Sequence, residues 1–520
     1  MSSSAAASPA APIRGRARPR ALPLLLLGIG VLLRVAQYLA NRSLWLDEAY
    51  LASTILHRSF AGLLRPPDYG QIAPVGFLAL ERAAVEIFGD SEYSLRLVPL
   101  AAGLASLFLF RRVALRILPA RAATLALALF VFCDPLIGFS SELKQYSLDV
   151  LVALLALDCS LDVGENPGRR APVARLALLG AAAAWFSLPC IFVLAGVGSA
   201  LFLRALLRRD RGQAAALAGA GVLWAASFAV LDAVWLSKIG RSPEVLAFWS
   251  RAFLPLPPRS FEDLYWLPRA LGAVFGDPVG FVFRGLGVFC FLVGAAALFA
   301  SRRLRLALLV APLLFTLLGS ALKRYPFEGR LLLFLVPSIL LIVSAGAERI
   351  REATAARAPA VSVILVTLLL FHPVLFAARS LARPRTREEI RPVLSHVRQR
   401  LRPGDRLYVY AAAAPAFDYY APRLGLPASG ALRGTWAGAD GEPRRDLERL
   451  RGGGRTWVLF SHATRAGGQD DEKRFLDLLD PAATRIEAFR APGAAVYLYV
   501  VDRGSPIAGS RAAEGGAPRN

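Results

Sequence analysis

Cysteine and histidine are scarce in this chain, with four of each among 520 residues. Cys133, Cys159, Cys190 and Cys290 lie in or beside apolar runs, and none has a C-x-x-C partner. That spacing supports neither a disulfide framework nor a zinc site; small buried hydrophobes is the plain reading. His57, His372, His396 and His462 are scattered and show no H-x-x-x-H spacing, which argues against a histidine metal cluster. Charge is scarce too. Only 19% of residues are charged against 55% hydrophobic, and the mean hydropathy is +0.47. That is too apolar for an ordinary soluble enzyme.

The charge that is present leans basic, at a formal net +23. In a soluble protein such an excess suggests nucleic acid. Here the bases fall in short loops between apolar runs of about 20 residues, as membrane helices with a positive-inside bias would place them. No nucleic-acid module is recognisable, so that partner is set aside.

Residues 1–20 read as a disordered basic tail carrying Arg14, Arg16, Arg18 and Arg20. The run 21–40 is an uncleaved first helix, long and without a small-x-small site at its end. Its Arg34 either faces inward or snorkels to the interface. Further helices are expected near 94–117, 121–140, 143–163, 173–187, 188–207, 212–236, 279–300, 304–322, 330–348 and 357–378. With eleven spans every loop on the cytoplasmic side is basic, including Arg111/Arg112/Arg116/Arg121 and Arg302/Arg303/Arg305. The split near Pro189 is the weakest joint of that scheme.

The expected fold is therefore an α-helical polytopic membrane protein of about eleven transmembrane helices. Interfacial helices near 46–64 and 74–88 occupy the first outer loop, broken by Pro66-Pro67. The expected domains are the tail 1–20, a membrane domain 21–378, a small extracytoplasmic α/β domain 379–502 and a tail 503–520. In the α/β domain, strands are expected at Leu407–Ala411, Thr456–Phe460 and Ala495–Val501, and a helix at Glu388–Leu401.

Candidate chemistry gathers in the outer loops. Ser43-Leu-Trp-Leu-Asp-Glu-Ala-Tyr50 follows the first span directly, setting Asp47 and Glu48 where a helix meets water. Acids at a low-dielectric boundary suit base chemistry, although acid in a helix's first turn is also an ordinary capping feature. On a helix these two point apart, so at most one faces a reacting centre. The turn Ser140-Ser-Glu-Leu-Lys-Gln-Tyr146 brings Glu142, Lys144 and Tyr146. Glu142 and Lys144 are two apart and need a turn to serve one site. Lys323-Arg-Tyr-Pro-Phe-Glu-Gly-Arg330 brings Arg324, Tyr325 and Arg330, and the loop 237–278 adds Lys238 and Arg241. The competing reading is separate helix-end charges, each solvated.

Trp45-x-Asp47-Glu48-Ala49, Gln71-Ile-Ala-Pro74, Phe88-Gly-x-Ser-Glu-Tyr-Ser-Leu-Arg96-Leu, Ser141-Glu-Leu-Lys-Gln-Tyr146 and Arg324-Tyr-Pro-Phe-Glu-Gly-Arg330 together resemble one family. It is the GT-C class of membrane glycosyltransferases, in the branch of protein O-mannosyltransferases, the lipid A aminoarabinose transferase and the lipopolysaccharide-core galacturonosyltransferases. The resemblance covers residues 21–378, and W-x-D-E-A is its most specific piece. It implies a multi-pass protein of the plasma (inner) membrane, and the arginines of the tail place the N-terminus in the cytoplasm. It also implies a sugar carried on a polyprenyl phosphate and moved to a cell-envelope glycolipid, polysaccharide or protein, with inversion. By that likeness Asp47, Glu48 and Glu142 are the catalytic acids, Asp47 the base. Lys144, Arg324 and Arg330 hold the donor phosphate, with Lys144 standing where Arg is frequent. Gln71, Tyr146, Tyr325 and Lys238 touch substrate. Tyr146 and Tyr325 fit an interfacial aromatic belt equally well. A divalent metal at Asp47 or Glu142 is compatible with the likeness and is not demanded by the spacing.

The C-terminal domain carries no readable motif. Acceptor recognition is its expected role by position, with His396 and His462 as packing or surface residues. The main alternative is a non-catalytic glycolipid flippase. That reading expects charges at the bilayer midplane and paired halves, whereas these acids sit in loops and no internal repeat is evident. A degenerate scaffold is a third reading, disfavoured by the intact Asp47 and Glu142.

Overall fold

The computed structural model describes residues 21–67, 70–238, 247–435, 442–452, 454–463 and 470–501. The basic tail 1–20, Arg241 and the tail 503–520 lie outside the described residues.

The apolar runs fold as helices: α1 (Ala21–Leu39), α2 (Leu46–His57), α3 (Val75–Phe88), α4 (Leu97–Ile117), α5 (Ala120–Phe132), α6 (Asp134–Phe139), α7 (Tyr146–Glu165), α8 (Arg170–Phe186), α9 (Cys190–Leu207) and α10 (Arg211–Val234). After α11 (Phe261–Gly276) come α12 (Arg284–Ser301), α13 (Arg303–Ala321), α14 (Val336–Thr354) and α15 (Pro359–Ala382). Eight helices among the described residues are long and apolar enough to cross a membrane. α5 is shorter, at 13 residues, because the expected run 121–140 breaks at Cys133 and Pro135 starts a separate short helix. Proline has no N–H to extend the preceding helix, and its fixed φ suits a first turn.

Packing is close where side chains are smallest. A Cβ on Gly294 of α12 would lie 1.9 Å from the Ile342 carbonyl, and one on Gly346 of α14 would lie 1.9 Å from that of Cys290. The two backbones meet there as small residues allow in membrane bundles. Arg34 is buried inside the bundle, 1% exposed, with Nη1 donating to Gly30 O and its guanidinium 5.8 Å from the Phe130 ring. It faces inward and does not snorkel. At the end of the bundle away from α2, Arg116 pairs with Asp158 at 2.6 Å and with Asp162 and Glu165 at 2.8 Å. There Arg302 donates to the Ile117 carbonyl. The basic loops that carry Arg116 and Arg302 thus share one end.

α2 is mostly buried against protein, so it is not a surface-lying amphipath as expected for 46–64. α11 fits that description better: Phe261 is 85% exposed, and Leu264 and Tyr265 also project outward. Its start is fixed by Ser260 and Asp263 capping one another's backbone N–H groups.

The C-terminal domain comprises α16 (Ile390–Arg400), β1 (Arg406–Val409), α17 (Ala414–Arg423), β2 (Leu432–Arg433), α18 (Glu442–Leu450), β3 (Gly454–Ser461), α19 (Asp471–Leu479), β4 (Thr484–Ala491) and β5 (Ala494–Val501). The sheet order is β2-β1-β3-β5-β4. The first three strands are parallel, and β3-β5-β4 are antiparallel. Trp457, Phe460, Val496 and Leu498 form its buried centre. The three expected strands and α16 are present. β4 had not been expected, because its burial alternates along a polar run, Thr-Arg-Ile-Glu-Ala-Phe-Arg-Ala.

Candidate active site at the docked end of the bundle

The domain docks directly on the segment that opens α2. Ser43 donates to Glu389 by both N–H and hydroxyl, Leu44 N–H to the Tyr420 hydroxyl at 2.9 Å, and Leu46 N–H to Glu388 Oε2 at 3.0 Å. A helix's first N–H groups have no partner within the helix. Here residues some 340 positions later supply the partners. The start of α2 is therefore held by the domain, and Asp47 stands in its first turn.

Asp47 and Glu48 face different surroundings, as adjacent helix residues do. Glu48 is fully buried. It takes Arg96 Nη2 at 2.7 Å and Nε at 2.8 Å, and its Oε1 also accepts the Leu143 N–H at 2.8 Å. Burial would raise its carboxyl; Arg96, Arg42 and these hydrogen bonds more than offset that and hold it low. This pair ties α2 to the start of α4 and to the 140–145 turn.

Asp47 Oδ2 meets Arg330 Nη2 at 2.9 Å and Lys144 Nζ at 3.5 Å. Burial pushes its carboxyl up, and Lys144 and Arg330 together overcome burial to leave it below the usual carboxylate range. Lys144 is buried and pushed down by that burial, against the pull of Asp47. Its ammonium also donates to Gln71 Oε1 at 2.7 Å. Lys144 and Glu142 reach one site because Lys144 N–H bonds the Glu142 carbonyl at 2.7 Å, closing a tight turn. Arg330 follows Gly329, whose φ of +48° no β-branched residue would adopt readily.

Glu142 Oε1 meets Arg387 Nε at 3.2 Å and Arg42 Nη2 at 3.6 Å. Arg42 also holds Ser141 through its hydroxyl and carbonyl, at 3.0 and 2.7 Å. The Trp45 ring lies 4.3 Å from the Arg387 guanidinium and 5.5 Å from that of Arg330. Glu142 Oε2 and Trp45 Nε1 are buried without a hydrogen-bond partner among the described residues.

Three expected members stand elsewhere. Tyr325 donates to the Leu331 carbonyl at 2.7 Å and packs on Phe192, which makes it a brace for the 3-10 turn Gly329–Leu335 that carries Arg330. Arg324 is exposed, with no ion pair to the cluster among the described residues. Lys238 is exposed at the end of α10, likewise unpaired with the cluster. Tyr146 is buried with its ring 5.8 Å from the Arg330 guanidinium.

Arg42, Arg387 and Glu388 were not anticipated here, and His462 was expected only as a packing or surface residue. Arg387 and Glu388 lie in the run Arg383-Pro-Arg-Thr-Arg-Glu-Glu389, whose density of opposite charges just after the last span was the available signal. A divalent metal does not fit the cluster: Asp47 and Glu142 each already face two cations. Among the described residues no three His, Cys, Asp or Glu side chains converge.

The fold is shared with solved structures of two other proteins. The crystal structure of ArnT from Cupriavidus metallidurans bound to undecaprenyl phosphate aligns at a TM-score of 0.54 and 15% identity, covering 91% of this chain and 97% of that one. The apo form of that protein aligns at 0.55 and 16%, with the same coverage. The apo oligosaccharyltransferase of Archaeoglobus fulgidus aligns at 0.50 and 12%, covering 92% of this chain and 74% of that one. No family model matches the chain, and no curated protein matches it by sequence.

Proposed function

We propose that this chain is an integral-membrane glycosyltransferase, moving a sugar from a polyprenyl-phosphate donor to a cell-envelope acceptor with inversion at the anomeric carbon. The observation that carries the reading is Asp47 held between Lys144 and Arg330, three residues from three segments. The bundle likeness to a protein crystallised with undecaprenyl phosphate supports a donor of that type. The acceptor is a glycolipid, a polysaccharide or a protein. The protein sits in the plasma membrane with its N-terminus cytoplasmic and the C-terminal domain outside, in keeping with the basic loops at the opposite end.

In the reaction, the acceptor hydroxyl attacks the anomeric carbon while the bond from that carbon to the phosphate oxygen breaks. The leaving phosphate takes the electron pair, and Lys144 and Arg330 neutralise it. Fixed cations in such a site are worth about 3 kcal/mol each in the transition state. Asp47 takes the acceptor's proton as the new bond forms, when the attacking oxygen becomes acidic. Glu142 Oε2 and Trp45 Nε1, buried and unsatisfied, are suited to sugar hydroxyls. A narrow apolar crevice lined by Leu154, Leu157, Val193, Val197 and Phe334 lies between α7, α9 and the Arg330 segment. A flippase would instead concentrate its charges at the midplane.

The test is transfer of labelled sugar from polyprenyl phosphate into envelope material by membranes containing the wild-type chain. Mass spectrometry of envelope glycans with and without the gene identifies the product. Identical glycans and no transfer would overturn the reading.

A further inference from the structure

The group best placed to clear the acceptor's proton from the site belongs to the C-terminal domain. One carboxylate, that of Glu388, links the domain to α2. Its Oε2 accepts the Leu46 N–H at 3.0 Å, and its Oε1 meets His462 Nδ1 at 2.6 Å. Asp47 is the next residue along α2. Glu388 is buried, whereas the His462 side chain is 37% exposed, so the imidazole stands between the buried carboxylate and solvent. His462 follows β3 directly, with a left-handed φ of +52° and its N–H donated to the Gly493 carbonyl. A non-glycine residue rarely takes that conformation, and here it turns the ring back toward Glu388 and away from the sheet. With Nδ1–H given to Glu388, the free electron pair is on Nε2, which has no partner among the described residues.

We propose that His462, oriented by Glu388, receives the acceptor's proton from Asp47 and passes it to solvent. This rests on the glycosyltransferase reading above. The balance is simple. The acceptor O–H proton moves to the Asp47 carboxylate as the oxygen bonds the anomeric carbon, and the electron pair of the broken bond leaves with the phosphate. Asp47 then gives the proton to His462 Nε2 by way of solvent water, and the imidazolium loses it to bulk water. Asp47 is a poor place for the proton to stay, because Lys144 and Arg330 both oppose a neutral carboxyl. The charged groups facing His462 are Glu388 and Asp47, which favour its protonation, and Arg387, which opposes it. Their sum, led by the Glu388 hydrogen bond, raises the imidazole above its ordinary value. The relay needs neutral His462, so turnover is lost as pH falls through that raised value.

The experiment uses the full-length protein in native membranes, with labelled polyprenyl-phosphate sugar, from about pH 5 to about pH 9. His462→Gln is expected to lower kcat about 100-fold, leave the KM for donor unchanged and abolish the acid limb. Glu388→Gln should move the limb to lower pH. Added imidazole should restore His462→Ala in proportion to its free-base fraction. The packing variant His396→Gln should keep the wild-type profile. A His462→Gln enzyme that retains the wild-type acid limb overturns the relay alone. So does a loss equal at every pH with no imidazole rescue of His462→Ala. No transfer by the wild-type chain overturns the glycosyltransferase reading and the relay with it.

Discussion

Asp47 Oδ2 and Arg330 Nη2 are 2.9 Å apart although 283 residues separate them in the chain. Both belong to segments at the end of the bundle where the C-terminal domain docks. The pair is only partly buried, with 17% of the Asp47 side chain and 30% of the Arg330 side chain exposed, so solvent reaches it. Removing the carboxylate should therefore cost chemistry more than folding. Asp47→Asn is expected to reduce transfer about 100-fold or more, with expression and thermal unfolding in detergent unchanged. Donor binding should persist, because Lys144 and Arg330 are then released for the phosphate. Wild-type turnover by Asp47→Asn would remove Asp47 from the reaction.

Arg330 is a fork where Lys144 is a point charge, and the two are not interchangeable. Arg330→Ala should weaken the donor about 10- to 100-fold in a binding titration with polyprenyl phosphate, and barely move acceptor affinity. Arg330→Lys should recover charge without the paired hydrogen bonds, and so restore binding in part. Equal donor affinity in wild type and Arg330→Ala would rule out the phosphate role.

Glu48 is the structural half of the adjacent acids. It is fully buried and committed to Arg96 and to the Leu143 N–H. Taking away one member of a buried ion pair costs about 3–5 kcal/mol, since the other is left uncompensated. Glu48→Gln and Arg96→Met should each lower the thermal unfolding midpoint and the yield of folded protein. The double variant should be less damaged than the two single losses combined. An unchanged midpoint for Glu48→Gln would contradict the account.

These contrasts show what the sequence could and could not convey. Apolar runs were enough for most of the helices, because length and composition are local properties. The convergence of Asp47, Lys144 and Arg330 was legible only as likeness to other chains, since no periodicity joins loops so far apart. The opposite fates of Asp47 and Glu48 followed from helix geometry, but which one faced the site did not. That depended on Arg96, whose role as partner is set by tertiary packing. Arg387 and Glu388 were not read as site residues, and His462 was read as a packing or surface residue, because the domain was taken as a separate unit, while its first residues actually cap α2. Tyr325 lay in the right motif and turned out to brace the turn beneath Arg330.

Lys144 offers a test by pH. Its ammonium is buried, and burial disfavours the charged form, so it loses its proton at a lower pH than a free lysine. Asp47 opposes that change without cancelling it. The charged amine is the form that stabilises the leaving phosphate, so activity should fall as pH rises through this lowered value. Asp47 is held below the usual carboxylate range and stays ionised across the same interval, which excludes it as the source of the limb. Lys144→Arg replaces the titrating group with one that remains charged far higher. The variant should be slower at neutral pH, because a larger planar guanidinium replaces the compact ammonium that meets Gln71 and Asp47, yet its rate should hold at alkaline pH where the wild type declines. If the alkaline limb persists in Lys144→Arg, another group titrates there and Lys144 is not the cation that meets the phosphate.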